Sequence, residues 1–202
     1  ISNAVTIADA GAFSTSLGSM TLIKTLTASS SNTLSFVHGA SSVVLDGTYP
    51  IYKFEFINCH PANNNVFFEF NMSVDSGSNY NVTKTTTFFQ AELSEAGGGA
   101  QISYDTDDDL VQATGFQHIS DAVGNDNDAN TNGYLTIFNP SSTTFVKHFI
   151  AQGSGMYASS YIIPAYSAGY GNTTSAVNAI RFQFNSGAIA SGKIKLYGIK
   201  DS

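Results

Sequence analysis

Side chains that could hold a cation recur in one segment of this 202-residue chain. Asp128, Asn130 and Asn132 place oxygen donors at alternate positions before Gly133, which matches the first half of a calcium-binding loop, and Asp126 could add a further oxygen. The match is incomplete, because an asparagine occupies the position where such a loop needs a bidentate glutamate. Asn- and Gly-rich turns also produce this spacing without a metal. The segment is therefore either a weak calcium site or an ordinary turn, and no other cofactor is indicated.

The other titratable residues lack a catalytic arrangement in the sequence. The densest acidic run, 105–109, is more typical of a solvated loop than of a cation site, and the four histidines lack the spacing of a metal pair. Ser154 stands between glycines, but no strand-to-helix elbow surrounds it. The carboxylates Glu55, Glu69 and Glu92 are scattered singly on predicted strands, so we expect them to face solvent and not to form a hydrolytic pair. These patterns predict a protein that is not an enzyme.

Four tyrosines mark the best candidate binding surface. Tyr157, Tyr161, Tyr166 and Tyr170 crowd a segment that is also rich in Ser, Gly and Asn. Recognition loops use this composition, because rigid amphipathic rings stand beside small hydrogen-bonding side chains, and exposed rings also serve as platforms for saccharides. The alternative is that these rings cover a sheet edge or pack between subunits.

The elements that must position these residues are strands. Apolar residues alternate with polar ones at Tyr52, Phe54 and Phe56, and the same period of two recurs over 66–74 and 180–184. Successive side chains of a strand point to opposite faces, so this pattern predicts strands with one buried and one solvated face. Cys59, the single cysteine, is expected to be a buried small residue.

The order of the segments predicts one domain. Residues 1–19 are small and polar, which predicts an extended amino-terminal arm, and 20–202 carry the strand pattern. Hairpins are expected over 49–74, 133–151 and 177–199, where turn residues separate two apolar runs, and a short helix is expected near 110–123. The fold class is therefore all-β: an antiparallel β-sandwich, jelly-roll-like, with long loops.

Composition limits the partners of the chain. Charged residues make up 11% and the net charge is −7, with eight basic residues. Nucleic-acid binding needs clustered Lys and Arg, so no nucleic-acid partner is expected. No run of 18 apolar residues occurs, so no membrane insertion is expected. A surface rich in Ser, Thr and Asn without disulfides is typical of a protein assembled in a cell and released in a particle.

Three stretches carry a resemblance to a known group of proteins. They cover residues 52–81, 133–152 and 180–202, and the last contains the closing hairpin GKIKLYG. Together they resemble structural proteins of tailed bacteriophages that infect marine bacteria and cyanobacteria. The resemblance rests on strands and turns and brings no catalytic motif with it. It implies a jelly-roll-like module on the virion surface, of a kind that often forms homotrimers.

These observations predict a non-enzymatic virion structural protein on the outside of the tail or capsid. The first choice is a tail-fibre or appendage module that contacts the host surface, through a saccharide or a protein. The second is a capsid decoration, or cement, protein that stabilises the major-capsid lattice. A polysaccharide-degrading tailspike is the third and least favoured choice. The expected partners are other virion proteins and further copies of this chain.

Overall fold

The computed structural model describes residues 20–157 and 160–201, so the predicted arm at 1–19 lies outside the described residues. The described part consists of strands, turns and loops and contains no helix long and apolar enough to cross a bilayer. The strands are β1 (Met20–Ser31), β2 (Leu34–Val37), β3 (Ile51–Pro61), β4 (Val66–Ser73), β5 (Lys84–Ser94), β6 (Gln101–Tyr104), β7 (Gln117–Val123), β8 (Thr131–Phe138), β9 (Lys147–Tyr157), β10 (Tyr161–Gly171), β11 (Ala179–Phe184) and β12 (Ile189–Ile199).

The strands form two antiparallel sheets of unequal width. The large sheet has eight strands in the order β1-β12-β3-β8-β9-β10-β5-β6, and the small sheet has four in the order β2-β11-β4-β7. The connections β1 to β2, β3 to β4, β7 to β8 and β11 to β12 each pass from one sheet to the other. The two sheets therefore pack as the predicted antiparallel β-sandwich, and the chain crosses repeatedly between the two layers.

Aromatic rings fill the space between the sheets. Phe54 of the large sheet contacts Phe36 and Phe182 of the small sheet, with ring centroids 5.2 Å apart in both pairs. All three rings are fully buried, as the period of two predicts. Burying a side chain of this size contributes on the order of 2 to 3 kcal/mol, so this layer supplies much of the driving force for folding. Cys59 is also fully buried, and burial raises the pKa of its thiol to about 12, so the thiol is unreactive.

Two of the three predicted hairpins are wrong. β8 and β9 pair directly, as expected for 133–151. By contrast, β3 and β4 lie in different sheets, as do β11 and β12. Their two turns run side by side instead, since the Ala62 amide donates to the Ala188 carbonyl at 2.9 Å. The reason is that alternation identifies the buried face of a strand but not its neighbour, and two apolar faces can meet across a sandwich as well as beside one another.

The polar face of β4 is buried, against the expectation that it faces solvent. Asn71 is fully buried, and its amide donates to the carbonyls of Tyr80, Thr114 and Gly115. This one side chain thus fastens the loop after β4 and the loop before β7 over the small sheet. Glu69 is also buried, between Gln183 and His118, which corrects its assignment to solvent. The helix expected near 110–123 is also absent, because that region is a loop followed by β7.

The inserted hairpins β5–β6 and β9–β10 make the large sheet wider than the small one. β7 is the last strand of the small sheet, and it lies over β9 and β10. Beyond β7, no further strand of the described small sheet covers the inner face of the large sheet. This difference in width creates the cleft described next.

A candidate binding cleft beside the small sheet

The cleft lies between the edge of the small sheet and the inner face of the large sheet. Its volume is about 450 Å³, in the range of small-molecule sites. It is lined by residues from five strands and their ends: Asn65, Phe67, Glu92, Asp121, Ala122, Tyr157, Tyr161 and Ile163. Rings and carboxylates therefore face the same space, which a saccharide could fill.

Tyr157 and Tyr161 stand at the mouth of the cleft, at the end of the β9–β10 hairpin. They are paired across the hairpin, and their ring centroids are 6.1 Å apart at an interplanar angle of 51°. Both belong to the binding surface that the sequence indicates. Tyr161 also borders a second, apolar cleft of about 270 Å³ on the other side of the sheet, together with Leu93, Met156 and Ile162.

Two carboxylates line the cleft. Glu92 is held in place by two amides, because Gln90 donates to its Oε1 at 3.3 Å and Gln101 donates to its Oε2 at 3.0 Å. Burial raises the pKa of Asp121, and a hydrogen bond from Gln90 partly opposes this shift. Glu92 was expected to face solvent as an isolated charge. The structure instead places it on the same cleft as a second acid.

Gln90 is a buried polar residue next to the cleft that is not fully satisfied. It is 4% exposed, and its Oε1 has no hydrogen-bond partner among the described protein atoms. A buried amide oxygen without a partner costs on the order of 1 to 3 kcal/mol. Gln90 acts on the cleft through its amide nitrogen, which donates to Glu92.

A charged imidazole supports the floor of the cleft from behind. The rings of Phe67 and His118 are stacked, with centroids 4.4 Å apart and an interplanar angle of 2°. His118 Nδ1 lies 2.7 Å from Asp108 Oδ1, and its Nε2 lies 3.5 Å from Glu69 Oε2. Burial opposes protonation, but hydrogen bonds to the two carboxylates outweigh it and raise the pKa of His118 to about 9. The imidazolium therefore fixes the orientation of Phe67.

Tyr166 and Tyr170 lie elsewhere, on the outer face of the large sheet. Tyr166 stacks on Phe89 at 5.1 Å and accepts a hydrogen bond from Gln152. The Tyr170 ring lies 5.8 Å from the ring of His148. The four tyrosines of the predicted surface are thus divided between two faces, and two of them line the cleft.

The predicted calcium loop forms a turn whose amides bind each other. Asn132 Oδ1 accepts the Asn58 amide at 2.8 Å, and Asn132 donates to Asn130 Oδ1 at 2.5 Å. Asp126 and Asp128 are exposed at the same turn. Among residues 20–157 and 160–201, no group of three or more His, Cys, Asp or Glu side chains is arranged to hold a metal ion.

The acidic run fastens the loop before β7. Asp109 accepts the Phe88 amide at 2.7 Å and the Tyr104 hydroxyl at 2.5 Å, while Asp108 pairs with His118. Asp108 and Asp109 thus bind donors within the chain, whereas the sequence predicted a solvated loop.

Sequence reasoning missed Phe67, Glu92 and Asp121 as site residues. Phe67 carried a usable signal, because it places an aromatic ring on the face of β4 that the alternation assigns to polar residues. Glu92 and Asp121 gave no sequence signal of a shared site, since they belong to strands that are not neighbours in sequence. The chain matches no family model, and no curated protein or solved structure matches it at a significant level.

Proposed function

We propose that this chain is a non-enzymatic structural protein of a bacteriophage virion, and that its cleft binds a saccharide of the host surface. The resemblance of the three sequence stretches supports the virion assignment. The position of the cleft at the open edge of the sandwich supports the binding role. A tail-fibre or appendage module would present this edge to the host cell.

We infer further that the sandwich is a jelly roll. Eight of its strands run as two facing sets of four, β1-β12-β3-β8 against β2-β11-β4-β7. Along the chain these eight strands alternate between the sets, except that β4 and β7 belong to the same one. The hairpins β5–β6 and β9–β10 are insertions into this scheme. Jelly rolls occur in viral capsid proteins and in lectins, and both uses suit a virion protein that binds sugars.

The observation that carries the proposal is the combination of rings and fixed carboxylates in one cleft. Tyr157, Tyr161 and Phe67 offer apolar ring faces, and sugar C–H groups pack on such faces. Glu92 and Asp121 accept hydrogen bonds from hydroxyl groups. Among the residues that the structure describes, no Lys or Arg lines the cleft. The site should therefore prefer neutral or amino sugars over sialic acid, uronic acids or phosphorylated glycans.

The proposal is tested by measuring saccharide binding to the purified chain. We expect a neutral or amino-sugar oligosaccharide to bind, and Tyr161→Ala to weaken binding by about 10- to 100-fold through loss of roughly 1.5 to 3 kcal/mol of ring contact. Tyr170→Ala is the matched control, because its ring lies on the outer face. Circular dichroism would establish that both variants keep the fold.

Three results would contradict the proposal. One is unchanged binding by folded Tyr161→Ala, and another is a preference for acidic glycans. The third is release of reducing sugar by the wild type but not by Glu92→Gln. This result would make the chain a glycosidase, since two carboxylates flank the scissile bond in such enzymes.

Capsid decoration is the second candidate, and the outer face of the large sheet favours it. Ile150, Ile162 and Phe89 are exposed there, each by more than 40%. Such a face would suit contact with capsid subunits. Labelling the protein in intact particles separates the two roles, because a tail module occurs in few copies and a decoration protein in numbers that follow the capsid lattice.

A further inference from the structure

The charges of this chain are segregated along the sequence. No Lys or Arg occurs between Lys84 and Lys147, whereas seven of the fifteen acidic residues lie within 92–121. The structure places six of these seven on β5 or on the loops that flank β6, at one edge of the large sheet, whereas Asp121 lies on β7. The two lysines that bound the gap are buried and add no exposed positive charge to this edge, and His118 is held between Asp108 and Glu69.

The opposite edge of the large sheet is basic. Of the eight basic residues, five lie on the adjacent strands β1, β12 and β3 or directly after β12: Lys24, Lys53, Lys193, Lys195 and Lys200. Glu55 is the acidic residue on these three strands, and it pairs with Lys53 at 3.0 Å. The large sheet thus has a positive edge and a negative edge.

These edges are too distant to neutralise each other within one molecule. Strands in a sheet are about 4.8 Å apart, so the seven steps from β1 to β6 span about 34 Å. The Debye length at physiological ionic strength is about 8 Å, so the two charge groups hardly interact within the chain. Each can be neutralised by the opposite edge of another copy.

Both edges also expose apolar side chains. Ile102 and Tyr104 of β6 are 81% and 57% exposed, and Met20 and Leu22 of β1 are 46% and 51% exposed. In the described part of the chain, neither strand has a partner on its outer side. An exposed edge strand offers unpaired amides and carbonyls to another chain.

We propose that the β6 edge of one copy docks against the β1 edge of a second copy of this chain, head to tail. Glu95, Asp105 and Asp107 would then face the lysines of β1 and β12, and Ile102 and Tyr104 would cover Met20 and Leu22. The two surfaces differ, so the contact is heterologous and repeats until it closes a ring or extends a filament. This contact does not involve the saccharide cleft.

The experiment is light scattering coupled to size-exclusion chromatography, on the full chain, from low to high micromolar concentration. We expect oligomers that dissociate as salt rises, because opposite charges carry the contact. Ile102→Lys would place a positive charge against the basic edge and weaken association by about 100-fold. Leu22→Glu, on the basic edge, would place a negative charge against the acidic edge of the next copy and weaken association to a similar degree.

Ile150→Lys is the control, since Ile150 is 49% exposed but lies on β9, in the middle of the outer face. It should leave association unchanged.

Loss of association in Ile150→Lys with full association in Ile102→Lys would show face-to-face docking and overturn the proposal. A wild type that stays monomeric in low salt at high micromolar concentration would overturn it as well, and so would oligomers that salt does not affect. Monomeric Ile102→Lys should still bind saccharide, which separates this test from the test of the cleft.

Discussion

Two buried cations with opposite pH dependence stand out among the individual residues. His118 gains a pKa of about 9 in the folded state, so its stabilisation is complete below its unfolded value near 6.5 and is lost as pH rises through 9. Lys84 is fully buried, and burial lowers its pKa to about 7. The folded chain loses this proton at a lower pH than the unfolded chain does. The contribution of Lys84 to stability therefore rises with pH from 7 to about 10.5. Between pH 7 and 9 the two effects oppose each other.

When Lys84 is replaced, the pH dependence of stability between pH 7 and 9 should therefore follow His118 alone. We expect the unfolding free energy of the wild type to be nearly constant from pH 7 to 9, and that of Lys84→Met to fall by up to about 1.4 kcal/mol per pH unit. Asn71 Oδ1, which accepts from Lys84, keeps the amide of Met72 as a donor, so the variant does not leave it unpaired. Urea titrations at several pH values measure this. If the unfolding free energy of Lys84→Met were as constant from pH 7 to 9 as that of the wild type, the opposing titrations of Lys84 and His118 would be refuted.

Replacing His118 should destabilise the fold at acidic and neutral pH. His118→Gln leaves Glu69 and Asp108 buried without a cation, which costs about 3 kcal/mol at pH 6. Its stability should also rise between pH 7 and 9, the reverse of Lys84→Met. The measurement is the same urea titration, and His148→Gln is the control, because His148 is exposed. Equal losses in the two variants would contradict a special role for His118.

The sequence predicted individual residues well where a side chain lies in the main core. Tyr52, Phe54 and Phe182 are buried as their period of two requires, and so is Cys59. It failed on the polar face of β4, where Asn71 is buried by loops that are distant in sequence. Local alternation cannot reveal a cover supplied by another segment.

At the scale of elements, one glycine sets how closely β7 approaches β9. A Cβ at Gly153 would overlap the carbonyl oxygen of Ile119 and the hydroxyl of Ser120 on β7. The two strands can therefore touch only because position 153 lacks a side chain. This contact also fixes the wall of the cleft, since Asp121 follows directly on β7.

Gly153→Ala should separate these strands. We expect a loss of about 1 to 3 kcal/mol in unfolding free energy, from overpacking, and weaker saccharide binding, because Asp121 would shift with β7. Gly98→Ala is the control, since a Cβ there meets nothing within 4 Å. Thermal unfolding followed by circular dichroism gives the comparison. A Gly153→Ala variant as stable as Gly98→Ala would contradict the close packing.

The elements themselves were only partly predictable. The pairing of β8 with β9 follows from their turn, but the crossings from β3 to β4 and from β11 to β12 do not. Asparagine occurs in the turns of both kinds of connection, so turn composition does not distinguish them. Which sheet a strand joins depends on the packing of all strands, so a local sequence pattern cannot decide it.

At the scale of the whole molecule, the cleft results from the unequal widths of the two sheets. The all-β sandwich was predictable from the repeated alternation. The cleft was not, because Glu92, Asp121 and Tyr161 come from different strands and meet only after both hairpin insertions extend the large sheet. The separation of charge was visible in the sequence, but its two edges became apparent only from the strand order.

The most direct test of the central claim is to map a bound saccharide on the chain by NMR chemical-shift perturbation. A neutral or amino-sugar oligosaccharide should shift the signals of Tyr157, Tyr161 and Phe67 and of the amides around Glu92 and Asp121, while Tyr166 and Tyr170 stay unchanged. Shifts confined to the outer face, or none with any neutral or amino sugar at millimolar concentration, would contradict a saccharide cleft.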